Sequence, residues 1–209
     1  IKPLFDGAAP EGGEARFALI ALDENGAAAS RDLAWTATRV ETDYQWYQNG
    51  GNWYWEPVTS RSKIGEGTLQ TGATAVEIAI PVTWGEFELA LSAPDGTAAS
   101  TLFSAGWYGG ADTAATPDML EMALDAPAYR AGDTAKLRMV ARQDGVALVQ
   151  VLSNRLIAMQ AVAVKAGENT IDLPVTDDWG TGVYVTASAL RGMDGGRNPA
   201  RALGVAHAS

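Results

Sequence analysis

The amino-acid sequence predicts an all-β chain that folds as two consecutive antiparallel β-sandwiches of immunoglobulin-like type. Short runs of alternating apolar residues recur along the 209 residues, and turn-forming residues separate many of them. Glycine is abundant, with 23 residues, which suits many tight turns and few long helices. Motifs of the first half recur in the second half, which indicates two copies of one fold.

Each predicted strand is a stretch in which alternate side chains are apolar, so that one face can meet a core. The predicted strands are 15–22, 76–82, 86–91, 135–141, 147–152, 169–175 and 182–190, with turns at 23–26, 94–96 and 165–168. Residues 154–164 are the only stretch with helical character. They are predicted as a strand because two β-branched residues, Val162 and Val164, precede the turn.

Two motifs carry the internal repeat. A turn of glycine and an acidic residue leads into a strand at 12–17 and again at 132–137. A Pro-Val-Thr segment leads to Trp-Gly at 81–85 and again at 174–180, each time before an alternating strand that contains an aromatic residue. The repeat therefore predicts two sandwiches in tandem.

The predicted domains are residues 1–112 and 116–209, because the small residues at 109–117 resemble a linker. The two motifs lie farther apart in the first copy, which predicts a hairpin insertion near 43–67. The sequence begins at Ile1 without a methionine, and we expect it to be a segment of a longer protein.

The inserted segment is rich in aromatic residues and centres on an Asn-Gly-Gly-Asn turn. Because glycine adopts positive φ without strain, this turn predicts a β-hairpin with a two-residue Gly-Gly loop. That register pairs Trp46 with Trp55 and Tyr47 with Tyr54. The candidate interaction surface consists of Tyr44, Trp46, Trp53 and Trp55 on one face of the hairpin and Tyr47 and Tyr54 on the other.

Two interpretations of the aromatic hairpin follow from its composition. Flat aromatic faces stack on sugar rings, so an exposed hairpin would bind a carbohydrate or peptidoglycan, with Gln and Asn as hydroxyl partners. Alternatively, the Trp face packs on its own sandwich or on the next domain. The sequence favours packing, because a soluble fold usually buries tryptophans that occur together.

Composition excludes several classes of function. The net charge of −10 disfavours nucleic acid and anionic membrane surfaces as partners. No apolar run approaches the length of a membrane span, so no direct membrane insertion is predicted. Cysteine is absent and His207 is the single histidine, which leaves almost nothing for a thiol nucleophile, a Ser-His-Asp triad or a histidine metal site. No cofactor and no metal are predicted.

Carboxylates and tryptophans outside the hairpin have structural interpretations. Glu86 and Glu88 share a strand face and would be the acid and base of a glycosidase, but alternation predicts a solvated face. The two aspartates at 177–178 could bind calcium through their oxygens, but the loop around them is not densely acidic as calcium sites are. They are therefore predicted to form a turn. Trp84 and Trp179 occupy matching places in the repeat and are predicted as core or strand-corner anchors.

A set of motifs, in order along almost the whole chain, resembles the bacterial alpha-2-macroglobulin family. The motifs are YQWY at 44–47, GGNWYWEPVT at 50–59, PVTWG at 81–85, AGW at 105–107, TPD at 116–118, LDAPAYRAGDTA at 124–135, LPVTDDWGTGVYV at 173–185 and RALG at 201–204. Each motif alone is weak, whereas the combination is specific.

The resemblance implies two macroglobulin-type domains, each a seven-stranded antiparallel sandwich. It also implies a parent protein that inhibits endopeptidases: target proteases cut a bait region, a thioester captures them in many members, and a rearrangement entraps them. The implied location is the periplasm and cell envelope, with the parent a membrane-anchored lipoprotein. The implied partners are target proteases, neighbouring macroglobulin domains and a penicillin-binding protein, in a role in host defence.

This chain departs from the full family pattern in two respects. Without cysteine it holds no thioester, and neither 109–116 nor 192–200 makes a convincing bait stretch. We therefore expect a scaffold role without catalytic residues, in which the chain is not an enzyme. The alternative is a carbohydrate- or peptidoglycan-binding module that uses the Trp-rich hairpin.

Overall fold

The computed structural model describes residues 1–107, 116–192 and 201–209, and in this part of the chain β-strands dominate. The all-β prediction is confirmed, and 154–164 is a strand in its larger part rather than a helix. Contacts divide the chain into two units, Ile1–Asp43 with Pro57–Gly106 and Tyr44–Glu56 with Trp107–Ser209. The tip of the predicted hairpin thus groups with the second unit.

The strands are numbered in chain order. They are β1 (Lys2–Pro3), β2 (Glu14–Leu19), β3 (Ala21–Leu22), β4 (Ala28–Ala29), β5 (Asp32–Asn49), β6 (Asn52–Gln70), β7 (Val76–Pro81), β8 (Gly85–Ser92), β9 (Ala98–Ala105), β10 (Glu121–Leu124), β11 (Thr134–Ala141), β12 (Gly145–Leu152), β13 (Leu156–Val164), β14 (Gly167–Pro174), β15 (Val183–Leu190) and β16 (Arg201–Ala208). A 3-10 turn spans Asp177–Trp179.

The first sandwich pairs a three-stranded sheet, β1-β2-β7, with a four-stranded sheet, β6-β5-β8-β9. Alternation along β2 and β8 turns their apolar side chains into the space between these sheets. Phenylalanines fill the centre: Phe17 lies edge-on to Phe103 at 4.9 Å between ring centroids, and Phe87 stacks on Phe103 at 5.5 Å. Such aromatic pairs add about 0.5–1.5 kcal/mol each beyond their burial.

The second sandwich repeats this architecture. Its three-stranded sheet has the order β10-β11-β14 and its four-stranded sheet the order β13-β12-β15-β16. Aliphatic side chains dominate its core, among them the fully buried Leu137, Met139 and Val185. Seven antiparallel strands in equivalent positions therefore form each sandwich in the described part of the chain, as the internal repeat predicts.

The repeated glycine turns make the same backbone hydrogen bonds in both copies. Gly12 N–H donates to the Val82 carbonyl at 3.0 Å, and Gly132 N–H donates to the Val175 carbonyl at 2.9 Å. Both glycines have positive φ, 68° and 95°, a conformation that other residues adopt only with strain. The motif found in the sequence thus closes the same corner of each sandwich.

The extra length of the first copy is not confined to 43–67. Part of it forms the short ribbon β3-β4, which precedes β5, and the rest lengthens β5 and β6 to 18 and 19 residues. The spacing between motifs reports how many residues are added but not where they fold. The added residues therefore form the short ribbon β3-β4 and extend two paired strands of the sheet, which end in the predicted aromatic hairpin.

In the described part of the chain, five strands lie outside the sequence predictions, namely β1, β4, β9, β10 and β16. β9 and β16 are rich in Ala, Ser and Gly, which lowers the strand signal. Gly204 in β16 is required by close packing, because a Cβ there would lie 2.5 Å from the Leu120 carbonyl oxygen. No helix in the described part of the chain is long and apolar enough to cross a membrane.

Candidate interaction surface

The aromatic hairpin is the far end of a long ribbon formed by β5 and β6. Its loop is Gly50-Gly51, with φ of 58° and 84°, so both residues occupy the left-handed region that a two-residue hairpin loop of type I′ requires. The Gln48 amide donates a long hydrogen bond of 3.4 Å to the Gly51 carbonyl. The predicted loop is therefore the observed one.

Side-chain contacts across the ribbon agree with the predicted pairing. The rings of Tyr47 and Tyr54 stack, with centroids 5.7 Å apart and planes 22° apart. Tyr44 meets Trp55 edge-on at 5.2 Å, as expected of diagonal neighbours on one face. These ring contacts join β5 to β6 within the ribbon itself.

The predicted burial of the Trp face is not what the structure shows. Trp53 and Tyr54 are 46% and 45% exposed, and Tyr47 and Trp55 are 44% and 38% exposed. Tyr44 and Trp46 are half-buried. The ribbon end therefore presents aromatic surface, and a role for the six residues as an interaction surface stays a prediction.

A cation contacts the ribbon end within the second unit. The Arg142 guanidinium lies 4.7 Å from the centre of the Tyr44 ring, within the range of cation–π attraction. A second pair of this kind lies nearby in sequence, with Arg138 4.1 Å from the Trp107 ring centre. Arg138 is buried and also pairs with Glu168, Nε to Oε1 at 3.0 Å. Sequence reasoning missed both arginines, because no local pattern connects them to distant aromatic residues.

Two glycines at the base of the ribbon create room for an indole. A Cβ at Gly67 would lie 2.8 Å from Nε1 of Trp35, and one at Gly65 would lie 3.4 Å from the same ring. Trp35 of β5 therefore covers the backbone of β6, an edge strand in its sheet. No sequence motif marks these glycines, and the structure uses them for packing.

Three of the four carboxylates considered for catalysis or for a calcium site are engaged in ion pairs or a turn. Glu88 pairs with Arg61, Oε2 to Nε at 3.2 Å, on the outer face of β8. Asp177 begins the 3-10 turn, and Asp178 forms an ion pair with Arg155. Across residues 1–107, 116–192 and 201–209 no three carboxylate or histidine side chains cluster as metal ligands would.

The matching tryptophans are anchors, as predicted, but with unequal burial. Trp179 is buried in the second core and meets Tyr129 edge-on at 6.0 Å. Trp84 is half-buried and lies against Gly106, where a Cβ would come within 2.0 Å of its ring. Gly106 also has φ of 143°, so it is fixed by backbone conformation as well as by packing.

Tyr129 is the titratable group most affected by its surroundings. Its hydroxyl donates to Oδ1 of Asp125 at 2.6 Å and accepts from the Ala126 N–H at 2.9 Å. Burial, and secondly the bond to the Asp125 carboxylate, raise the pKa of Tyr129 above its usual value. These hydrogen bonds and the ring contact with Trp179 join the loop after β10 to the second sandwich.

Comparison with known proteins separates the interpretations that geometry leaves open. Residues 1–107 match the family model of bacterial macroglobulin domain 6, and residues 120–209 match that of the alpha-2-macroglobulin bait region domain. Sequence motifs alone assign no bait segment, and both stretches considered for it, 109–116 and 192–200, lie almost entirely outside the described residues. Neither match favours the carbohydrate-binding alternative.

Relatives and a solved structure point the same way. The chain is 36% identical, over 98% of its length, to an alpha-2-macroglobulin of Xylella fastidiosa and 30% identical, over 99% of its length, to that of Escherichia coli. It is similar to a cryo-EM structure of native E. coli alpha-2-macroglobulin, with 27% identity, 97% coverage of this chain and a TM-score of 0.53. The chain spans 13% of the length of these relatives and of that structure.

Proposed function

Because this chain belongs to the bacterial alpha-2-macroglobulin family, we propose that it is part of an endopeptidase inhibitor, in which its two β-sandwiches support bait-triggered entrapment of proteases. Its contribution is mechanical. Rigid sandwiches keep the bait region domain at a fixed distance from the rest of the inhibitor and pass on the rearrangement that follows cleavage. No residue of the chain performs covalent chemistry in this role.

One observation carries the proposal: the domain 6 and bait region domain matches adjoin in the chain and together cover nearly all of it. A bait has to be held where a protease can reach it, and a sandwich with an apolar core holds its loops in place. Both copies have such a core. The second sandwich therefore combines a support and the region that proteases attack.

The partners in this proposal are target proteases and the neighbouring macroglobulin domains of the complete protein. Family resemblance also suggests a periplasmic, envelope-anchored lipoprotein with a defensive role and a link to a penicillin-binding protein. The exposed aromatic ribbon end supports an interaction surface at Tyr44, Trp46, Tyr47, Trp53, Tyr54 and Trp55. Its half-exposed rings suit contacts with another protein surface, in which Tyr and Trp are favoured.

The proposal is tested with the complete gene product that contains this sequence, incubated with trypsin. Peptide mass spectrometry identifies the first bonds cut, and two substrates report on the protease, a large protein and a small chromogenic peptide. We expect the first cuts within 116–209, followed by loss of activity toward the large protein. Activity toward the small peptide is expected to persist, because entrapment blocks access and leaves the protease active site intact.

Trypsin inactivated at its active-site serine is the control, because it cannot cut the bait: the inhibitor should stay intact by peptide mass spectrometry and should then still trap active trypsin added afterwards. First cuts outside 116–209, or full activity toward the large protein after cleavage, would contradict the proposed role.

A further inference from the structure

The outer face of the four-stranded sheet in the second sandwich is unusually apolar for a surface that faces solvent. Strand pairing arranges it in rows that run across β13, β12, β15 and β16. One row joins Ala163, Val146, Leu190 and Arg201, and the next joins Ala161, Leu148, Ser188 and Leu203. Of the large apolar members of these rows, Val146, Leu190 and Leu203 are exposed and Leu148 is half-buried.

The other two rows continue the apolar surface. Met159 and Val205 are exposed on either side of Gln150 and Thr186, which bond to each other. In the last row Tyr184 meets His207 edge-on at 5.1 Å. None of the four rows contains an acidic residue, although the chain has 25. The outward-facing residues of these four rows are hereafter called the apolar sheet face.

The equivalent face of the first sandwich has ordinary surface chemistry. Its rows across β5, β8 and β9 consist mainly of Thr, Ser, Ala and Glu residues, and Arg61 pairs with Glu88 there. Leu102 and Val205 occupy equivalent positions, each three residues before the end of the last strand. Leu102 is alone among polar neighbours, whereas Val205 is part of a continuous apolar patch. The two sandwiches thus share a strand order but differ in the residue types on this outer face.

We propose that the apolar sheet face is a docking surface for another domain of the same polypeptide, through a largely apolar patch on that domain. A contiguous exposed apolar patch on a folded protein marks an interaction site. The inference rests on the proposed function, in which the chain works within a larger multidomain inhibitor. The chain spans 13% of the length of its curated relatives, so relatives of this kind contain many further domains.

The size of the face distinguishes a tethered domain from a second copy of the chain. Four strands about 4.8 Å apart and about eight residues long give roughly 500 Å². A stable complex between free proteins buries about 800 Å² on each partner. Domains of one chain form smaller interfaces, because the tether holds them at an effective concentration of about millimolar. The face is therefore too small for a stable dimer and large enough for an intramolecular contact.

Cysteine labelling tests the proposal directly, because the chain has no cysteine of its own. Val205→Cys and, as the matched control, Leu102→Cys are made separately in the 209-residue chain and in the complete gene product. These side chains are 58% and 66% exposed, so neither substitution disturbs a core. Maleimide labelling at each site is timed by mass spectrometry of the peptide that contains it.

In the 209-residue chain both sites are expected to label at similar rates. In the complete gene product we expect Val205→Cys to label at least about tenfold more slowly and Leu102→Cys to keep its rate. Equal rates for Val205→Cys in both proteins would overturn the proposal. Protection of Val205→Cys that rises with concentration in the 209-residue chain would also overturn it, since a second copy would then be the occupant. Protease inhibition is measured in a separate assay. If that assay fails, the labelling rates still test the docking surface.

Discussion

Gly12 and Gly132 show how single residues fix corresponding corners of the two sandwiches. Each has positive φ, and each donates to the carbonyl of the valine that directly follows β7 or β14. Tyr129 acts at the same scale with a side chain, since its hydroxyl joins Asp125 and Ala126 beside the buried Trp179. A few hydrogen bonds of this kind determine where a loop begins and ends.

Tyr129→Phe is expected to lower the free energy of unfolding at neutral pH by about 1 kcal/mol, because two hydrogen bonds are lost. The folded-state pKa of Tyr129 is raised, so its contribution is present below the unfolded pKa of about 10 and is lost as pH rises above it. The difference in unfolding free energy between wild type and variant should therefore become smaller above about pH 10. Urea unfolding between neutral and alkaline pH measures it, with Tyr184→Phe, an exposed tyrosine, as control. A gap that stays constant with pH would show that Tyr129 titrates normally in the folded state.

At the scale of elements, the β5-β6 ribbon combines local and distant determinants. Its loop follows from two adjacent glycines, and its stacked tyrosines follow from the register that the loop sets. Trp35 packs over Gly65 and Gly67 at its base, and Arg142 lies against Tyr44 at its end. The local features were predictable from the sequence, whereas the last two require residues that only the fold brings together.

Gly51→Ala is expected to loosen the ribbon end, because an L-residue in the left-handed region costs about 1–2 kcal/mol. Hydrogen exchange of peptides from 44–56 should become faster, while the buried strands keep their protection. Gly72→Ala is the control, since φ there is not in that region and a Cβ would meet nothing within 4 Å. Unchanged exchange in 44–56 would mean that the loop does not determine the stability of the ribbon end.

For the whole molecule, the central feature is that each sandwich has its own core. The first core depends on phenylalanines, and the second depends on a larger set of aliphatic residues around Trp179. The division of the chain into domains at 1–112 and 116–209 remains a sequence prediction. Because the cores are separate, we expect a core substitution to lower the stability of the unit that contains it and to leave the other unit unchanged.

Phe17→Ala should reduce the stability of the first unit by about 3–5 kcal/mol, and Leu137→Ala that of the second by about 2–5 kcal/mol. Each side chain is fully buried, and sites that share no partners act independently. Native-state hydrogen exchange, read from peptides of each unit, measures both effects in one experiment. If either substitution lowered protection equally in both units, the predicted two-domain division would be wrong.

Much of the fold follows from local sequence features. Alternation along β2, β8, β12 and β15 determined which residues face a core, and glycine turns determined where strands reverse. β9 and β16 were missed because small residues carry little strand preference on their own. They are strands because neighbours in the sheet supply their hydrogen bonds.

The candidate surfaces depended on tertiary structure in a different way. The sequence by itself determined the all-β class, the repeat, the Gly-Gly loop and the aromatic pairs beside it. Only the fold decided that the ribbon rings stay half exposed and that Arg142 meets Tyr44. The apolar sheet face likewise exists only because pairing aligns Val146 with Leu190, residues far apart in sequence. Alternation and turns are short-range properties, whereas burial and surface patches arise when distant strands pair in one register.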